Sequence, residues 1–529
     1  MKMSGLKSLK VLVFLLCFQS LFAQYSEIQF EKITPTDPAA GKMFGNRELC
    51  VSGDYAVISA LGDNEGKGSA YIFKKSGENW TQFKKIVPEG QTQSENFGFA
   101  STLNGEHAIV CAPGRDFEGK TDCGIAIFYR KDQGGVDNWG EVCSFYGEEN
   151  AESFGRSAAI YGNWAVVGDA YDDHSGYNDA GSVYLYNFNG STWNFVKKIY
   201  ADTPSPNVQF GDRVAISDNY LVVSAPYSIY NGNQYNCGSV YIYKRDLGGA
   251  NNWGFLKSYV NTTASDFYGT SVALNEDFLV VGSYGHDYDS NNSNIMTNSG
   301  AAFIYSKNEG GLDNWGLVKK VVASDRKGGD NFGEYVSIEG NDLVVGAPGQ
   351  DFDNSNAIEI NNAGAVYSFS RNEGGENQWG EKYKITSPER SVNAQFGKSV
   401  SLSNGLMLVA APYAYTNTGE GYFVKNFINA IPTSLDNNAP FNEDNIYTFS
   451  NEVGSESFSF ADENVDDELD KVKITSLPLV GTLFLDSSNF GIIDEGEEIS
   501  LNVEISPANI SIPYLFWFSD IYGLNKCNF

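Results

Sequence analysis

The chain has 529 residues, with 36 basic against 66 acidic side chains and a net charge of −30. That balance argues against nucleic acid and anionic lipid as partners, because phosphate would be repelled rather than steered in. Its 56 glycines, 31 tyrosines and 35 phenylalanines, with only 19% charged residues, point to many short strands joined by tight turns.

Taken in chain order, the first element is an export signal. Lys2, Lys7 and Lys10 precede the apolar run Val11–Phe18, and Leu21-Phe22-Ala23 offers a cleavage site before Gln24. Residues 1–23 are therefore expected to be a signal peptide, too short in its apolar part to span a bilayer. Lipid attachment at Cys17 is disfavoured by the bulky Leu16 before it. No later stretch has the length and apolarity of a membrane span, so the mature protein is expected to be exported, secreted or attached at a cell surface, without a transmembrane segment. Six cysteines would remain, Cys50, Cys111, Cys123, Cys143, Cys237 and Cys527. A local Cys111–Cys123 disulfide is one option in an oxidising compartment, and the spacing of the six argues against zinc.

A repeat follows. The step Phe-Gly occurs at Gly45, Gly98, Gly155, Gly211, Gly269 (as Phe267-Tyr268-Gly269), Gly333 and Gly397, at intervals of 53, 57, 56, 58, 64 and 64 residues. A Gly-Ala-Pro-like landmark trails each copy, as at Gly346-Ala347-Pro348, Ser224-Ala225-Pro226 and Gly168-Asp169-Ala170. A third landmark is a strand such as Gly181-Ser182-Val183-Tyr184-Leu185-Tyr186, and a fourth is a Trp-led strand, with Trp80, Trp139, Trp193, Trp253, Trp315 and Trp379 leading six of them. Pairs such as Gly53-Asp54, Gly162-Asn163, Gly340-Asn341 and Asn404-Gly405 suit two-residue hairpins. Each copy thus reads as a four-stranded antiparallel meander. The seventh lacks a Trp-led strand, but Ile28–Ile33 matches Gln82–Ile86 and is expected to complete it. The fold class is all-β: a seven-bladed β-propeller over residues 24–427, with 28–33 closing the ring. Lysine pairs on the outer strands (Lys84-Lys85, Lys197-Lys198, Lys319-Lys320) read as protection of those edges.

The run from Phe332-Gly333 to Gly346-Ala347-Pro348, followed by Gly364–Phe369, resembles the FG-GAP repeat of integrin α-subunit propellers and of many bacterial surface proteins. Integrin-type repeats often carry an Asp-rich calcium loop between their first two strands. Here that place holds a two-residue turn in every copy, so the family's calcium ligands do not transfer. After a Pro/Asn/Ser-containing linker at 428–440, residues 441–529 read as a small β-sandwich-like domain. Phe458–Asp467, Val472–Pro478 and Gly481–Leu485 in it resemble cadherin-like modules, and the chain stops soon after Tyr514–Phe518, where a further strand is expected.

In such a propeller the loops joining strands two and three share one face with the blade-to-blade connections. Their variable length and content make that face the expected ligand side. Tyr171, Tyr227, Tyr284, Tyr288 and Tyr413 crowd it and are the candidate ligand-binding residues, suited to stacking on sugar rings or anchoring a protein. Asp172, Asp173 and Asp179 make it acidic in blade 3. Alternating oxygen ligands at Asp287, Asp289 and Asn291, at Asp351 and Asp353, and at Asp462, Asn464 and Asp466 are candidates for Ca²⁺. His107 reads as exposed in a hairpin turn, whereas His174 beside Asp173 and His286 beside Asp287 lie on the ligand face and could act as acid or base. No nucleophile elbow, zinc-protease, P-loop or dinucleotide motif is present, so no catalytic residue is assigned. The expectation is a non-enzymatic binding or adhesion protein recognising an extracellular protein or polysaccharide. A carbohydrate-active enzyme using acids on the same face, or a structural envelope component, are the alternatives.

Overall fold

The computed structural model describes residues 28–91 and 94–427, and beyond them the backbone of four short strands. Those strands pair antiparallel, Val472–Lys473 with Glu504–Ile505 and Thr482–Asp486 with Tyr514–Phe518. The expected signal peptide at 1–23, the 428–440 segment, most of the expected module at 441–529, and Asp462, Asn464 and Asp466 with it, lie outside the described residues. The chain divides into two units at Ile428–Asn429.

The first unit contains seven four-stranded antiparallel sheets. Blade 1 comprises Phe44–Ser52, Tyr55–Ala60, Ser69–Ser76 and Asn79–Ile86. Blades 2 to 6 cover 101–146, 157–200, 214–260, 271–321 and 335–385, and blade 7 joins 399–425 to 29–33. The closing strand pairs antiparallel with the third strand of blade 7, from Gln29 opposite Lys425 to Ile33 opposite Gly421. All seven first hairpins turn on two residues, for example between Ser52 and Tyr55, Ser217 and Tyr220, and Asn275 and Phe278. None of these turns has room for an Asp-rich loop.

The second strands are buried on both faces, Tyr55–Ala60 and Trp164–Asp169 throughout, because each blade packs between two others. Seven buried apolar clusters result, one at each blade interface. The one joining blade 7 to blade 1 contains Ile33, Phe44, Trp80 and Phe423. The leading tryptophans form these seams: Trp139 meets Tyr55 of the preceding blade at 5.2 Å, Trp253 meets Trp164 at 5.3 Å, Trp315 meets Tyr220 at 5.0 Å and Trp379 meets Phe278 at 5.1 Å. Trp193 lands on His107 at 5.3 Å, so His107 is buried in the seam rather than exposed, and its pKa is lowered by desolvation. The glycine of the Phe-Gly step is also explained. At Gly333, φ is +90°, and a Cβ would lie 2.3 Å from the carbonyl oxygen of Ala301 in the preceding blade.

The outer lysines do more than guard an edge. Lys84 donates to the carbonyl of Asn138 and Lys197 to that of Asn252, while Lys319 reaches Gln378 at 3.0 Å, each in the next blade's last turn. Cys50, Cys111, Cys123, Cys143 and Cys237 are free. Cys111 is buried in a strand between blades and the Cys123 thiol donates to the carbonyl of Arg115 at 3.3 Å, so the Cys111–Cys123 bridge is not formed. Among the described residues, no helix is long and apolar enough to cross a membrane.

Candidate functional site

At the long-loop end, each blade carries a buried position three residues before the glycine of its Phe-Gly step. A second position meets it, three residues beyond the place that alanine holds in most copies of the Gly-Ala-Pro-like landmark (Ala60, Ala112, Asp169, Ala225, Ser283, Ala347 and Ala411). In blade 1 these are Lys42 and Asp63, 3.0 Å apart. In blade 2 they are Glu95 and Arg115 at 2.7 Å, in blade 5 Asp266 and His286 at 2.8 Å, and in blade 6 Asp330 and Gln350 at 3.2 Å. Blades 4 and 7 place the uncharged pairs Val208 with Ser228 and Ala394 with Ala414 there. These complementary pairs satisfy groups that are costly to bury alone. His286 is thereby committed to Asp266 rather than to Asp287, and His174 stacks on Tyr200 at 3.6 Å. Nε2 of His286 also lies 3.3 Å from Nζ of Lys320, and Nε2 of His174 lies 2.9 Å from Oγ of Ser175.

Blade 3 breaks the rule. Its pair is Glu152 and Asp172, two acids, and Asp169 stands where the other six blades have alanine or, in blade 5, Ser283. Ligand atoms of the three carboxylates lie within 4.8 Å of one another, the one such group of metal-ligating side chains among the described residues. Burial, then the neighbouring carboxylates of Glu152 and Asp172, push the Asp169 carboxyl well above its ordinary range. Glu152 is raised as well, chiefly by desolvation. Lys198, from the outer strand, reaches Asp172 and Glu148 at 3.0 Å each.

Nearer the axis, the same loops build an aromatic mouth. Arg156 follows the Phe-Gly step of blade 3, and its guanidinium lies 5.3 Å from the ring of Phe99 and 5.1 Å from that of Tyr171. Its Nε donates to Asp212 at 2.8 Å. Arg47 covers Phe99 at 4.3 Å. Phe267 stacks on Tyr284 at 4.9 Å and meets Tyr227 edge-on at 5.9 Å. Burial raises the Tyr227 hydroxyl and pushes that of Tyr284 to about 12, so both stay protonated donors at neutral pH. A groove of about 320 Å³ opens beside Arg156, lined also by Phe99, Tyr171, Pro113, Asn96 and Asp122.

Of the sequence candidates, Tyr171, Tyr227 and Tyr284 come together at this mouth on three consecutive blades. Tyr413 takes the matching loop position in blade 7, where its backbone N–H donates to the carbonyl of Ala394 at 3.3 Å. Tyr288 lies outside it, 5.9 Å from His286 in a hairpin where it bridges Ile295. The acidic loops close on themselves. Asp289 accepts from the backbone N–H groups of Asn291, Ser293 and Asn294 at 3.1, 2.7 and 3.2 Å, and Asp287 from that of Asn298 at 2.8 Å. Blade 6 repeats the device: Asp353 accepts from Ala357 and Ile358 at 2.9 and 3.2 Å, and Asp351 from Asn362 at 2.7 Å. These carboxylates hold loop shape through side-chain-to-backbone bonds, the Asp289 bond to Asn291 being an Asx turn. The residues not singled out from sequence are Phe99, Arg156, Phe267, Glu152 and Asp169. Aligning the repeats exposes the last two, because charge appears where every other copy is neutral or paired.

A closed seven-bladed propeller with Phe-Gly and Gly-Ala-Pro landmarks defines a class of scaffold. The FG-GAP repeat matches residues 28–73, 148–186, 193–243, 261–305, 315–369 and 379–424, more than half of the sequence, and the chain belongs to that family. No curated protein matches. Among solved structures, the Neurospora crassa Pan2 WD40 domain aligns at 12% identity over 73% of this chain and 89% of that one, with a TM-score of 0.41, too distant to bear on function.

Proposed function

We propose that this is an exported, non-enzymatic recognition or adhesion protein that holds an extracellular protein or polysaccharide at the long-loop mouth of its propeller. The observation that carries this is the convergence of Tyr171, Tyr227 and Tyr284 with Phe99, Phe267 and Arg156 at one end of a rigid ring. Aromatic faces with hydroxyl donors at their rims suit both sugar stacking and protein anchoring. The signal-like N-terminus supports export, and residues 441–529 are assigned as an appended cadherin-like module. Two of the acids at the mouth are engaged in pairs, Asp212 with Arg156 and Arg213, and Glu334 with Lys398, which leaves those two less available for hydrolysis.

The test is binding of the secreted protein to a panel of immobilised extracellular polysaccharides and matrix proteins, with product release assayed in parallel. Saturable binding is expected, weakened about tenfold or more by Tyr171→Ala combined with Tyr284→Ala. Turnover of any polysaccharide, or a double variant that binds as the parent does, would overturn the reading. Absence of saturable binding across the panel would favour a structural envelope role.

A further inference from the structure

We propose that blade 3 holds a divalent cation of the hard, oxygen-preferring kind, Ca²⁺ in the first place, between Glu152, Asp169 and Asp172. Spacing alone does not carry this; three further features do. Asp169 is completely buried, and neither of its carboxylate oxygens has a hydrogen-bond partner among the described residues. Oδ2 of Asp172 is likewise buried and unpartnered, and the hydroxyl of Tyr184, which is 4% exposed, lies within electrostatic reach of Asp169, Asp172 and Glu152. Among the described residues, the only cation joined to the group is Lys198, and it already divides itself between Asp172 and Glu148.

Unpaired buried carboxylates are among the costliest groups a fold can carry. At this point in the repeat the protein has a neutral solution at hand: it uses alanine in blades 1, 2, 4, 6 and 7. Oxygen ligands without nitrogen or sulfur select Ca²⁺ or Mg²⁺ over zinc. Ca²⁺–oxygen distances of about 2.3–2.6 Å let one ion bridge oxygens nearly 5 Å apart, which covers the 4.8 Å spread of this group. Mg²⁺, at about 2.0–2.1 Å and needing near-ideal octahedral geometry, fits less well. The site is distinct from the first-hairpin turns. It lies under the long-loop face, and Tyr171, which lines the mouth, sits in the short segment between Asp169 and Asp172. A bound ion would fix that segment. The assignment stands whether or not the mouth is the binding face.

The experiment is calorimetric titration and thermal melting of the full secreted chain, stripped with chelator, against CaCl₂, with MgCl₂ and MnCl₂ as parallel arms. Two variants accompany it: Asp169→Ala, which installs the residue used in five other blades, and the near-isosteric Glu152→Gln. The parent should bind saturably, with Ca²⁺ tightest, and melt at higher temperature when loaded. Each variant should lose one bound equivalent and the part of the melting shift that goes with it, while melting no lower than the parent in chelator. Ca²⁺ bound elsewhere on the chain is common to all three proteins and cancels. Variants with the parent's stoichiometry and shift, or a parent that takes up none of the three ions, would overturn the proposal.

Discussion

Blades 1 and 3 put the same scaffold positions to opposite electrostatic use. In blade 1, Lys42 and Lys85 each contact both Asp37 and Asp63 within 3.0 Å, and Tyr71 donates to Asp63 at 2.6 Å. Two cations meet two anions, and the tyrosine hydroxyl is used. In blade 3, Lys198 matches Lys85 and Tyr184 matches Tyr71, but the rest are acids, Glu148, Glu152, Asp169 and Asp172. The propeller's geometry therefore demands only that this buried spot be filled. Whether it acts as internal glue or as a receptor for an outside charge is decided by two or three side chains.

Opening the ring would break that comparison outright. Removing residues 28–36 deprives blade 7 of its outer strand and the blade 7–blade 1 cluster of Ile33. The expected loss is comparable to the whole stability of a domain, about 5–15 kcal/mol, seen as aggregation or loss of cooperative unfolding. Unchanged melting would contradict the closure.

The next effect is Asp63→Ala, which leaves Lys42, 2% exposed, with only the half-exposed Asp37 and the Tyr71 hydroxyl. A loss of roughly 2–4 kcal/mol is expected by denaturant titration. Asp63 has its pKa lowered in the folded state, with hydrogen bonds from Lys85, Tyr71 and Lys42 overcoming desolvation. Its stabilisation is thus complete above its unfolded value of 3.8 and lost as pH falls below that, and the variant should lose that acid limb.

The chemically identical change in blade 3 should have the opposite sign. In chelator, Asp169→Ala is expected to gain roughly 1–3 kcal/mol by removing an unpaired buried carboxylate. A loss of that size would place blade 3 with blade 1 as internal glue.

The smallest effect sharpens the paired case. Asp330 of blade 6 is raised to about 7, chiefly by burial. A carboxyl raised on folding stabilises below its unfolded pKa and loses that contribution as pH rises through the folded value. Stability should therefore decline between about pH 4 and 7 from this group, and Asp330→Asn should flatten the decline, gaining on the order of 1 kcal/mol at pH 8.

Much of the fold was legible because its landmarks are steric demands repeated six or seven times. Gly333 must accept a positive φ beneath a neighbouring carbonyl, and Trp379 must fill a seam, so neither position tolerates drift. The latch was legible because one strand was missing at one end of the array and spare at the other. The site was legible in part. Tyr171, Tyr227 and Tyr284 share a face by topology alone, but their union with Phe99, Phe267 and Arg156 depends on contacts between blades. Alternate spacing offered Asp289 and Asp353 as oxygen ligands but did not reveal that these carboxylates also accept from their own loop backbone. His107 looked exposed because its cover, Trp193, arrives from the next blade.

The most direct measurement is anomalous diffraction from crystals of the full chain soaked in MnCl₂, Mn²⁺ standing in for the proposed ion. The account predicts one peak between Glu152, Asp169 and Asp172 of blade 3 and none beside Lys42 and Asp63 of blade 1. An empty blade 3 with Asp169 hydrogen-bonded to Glu152 through a shared proton would contradict it.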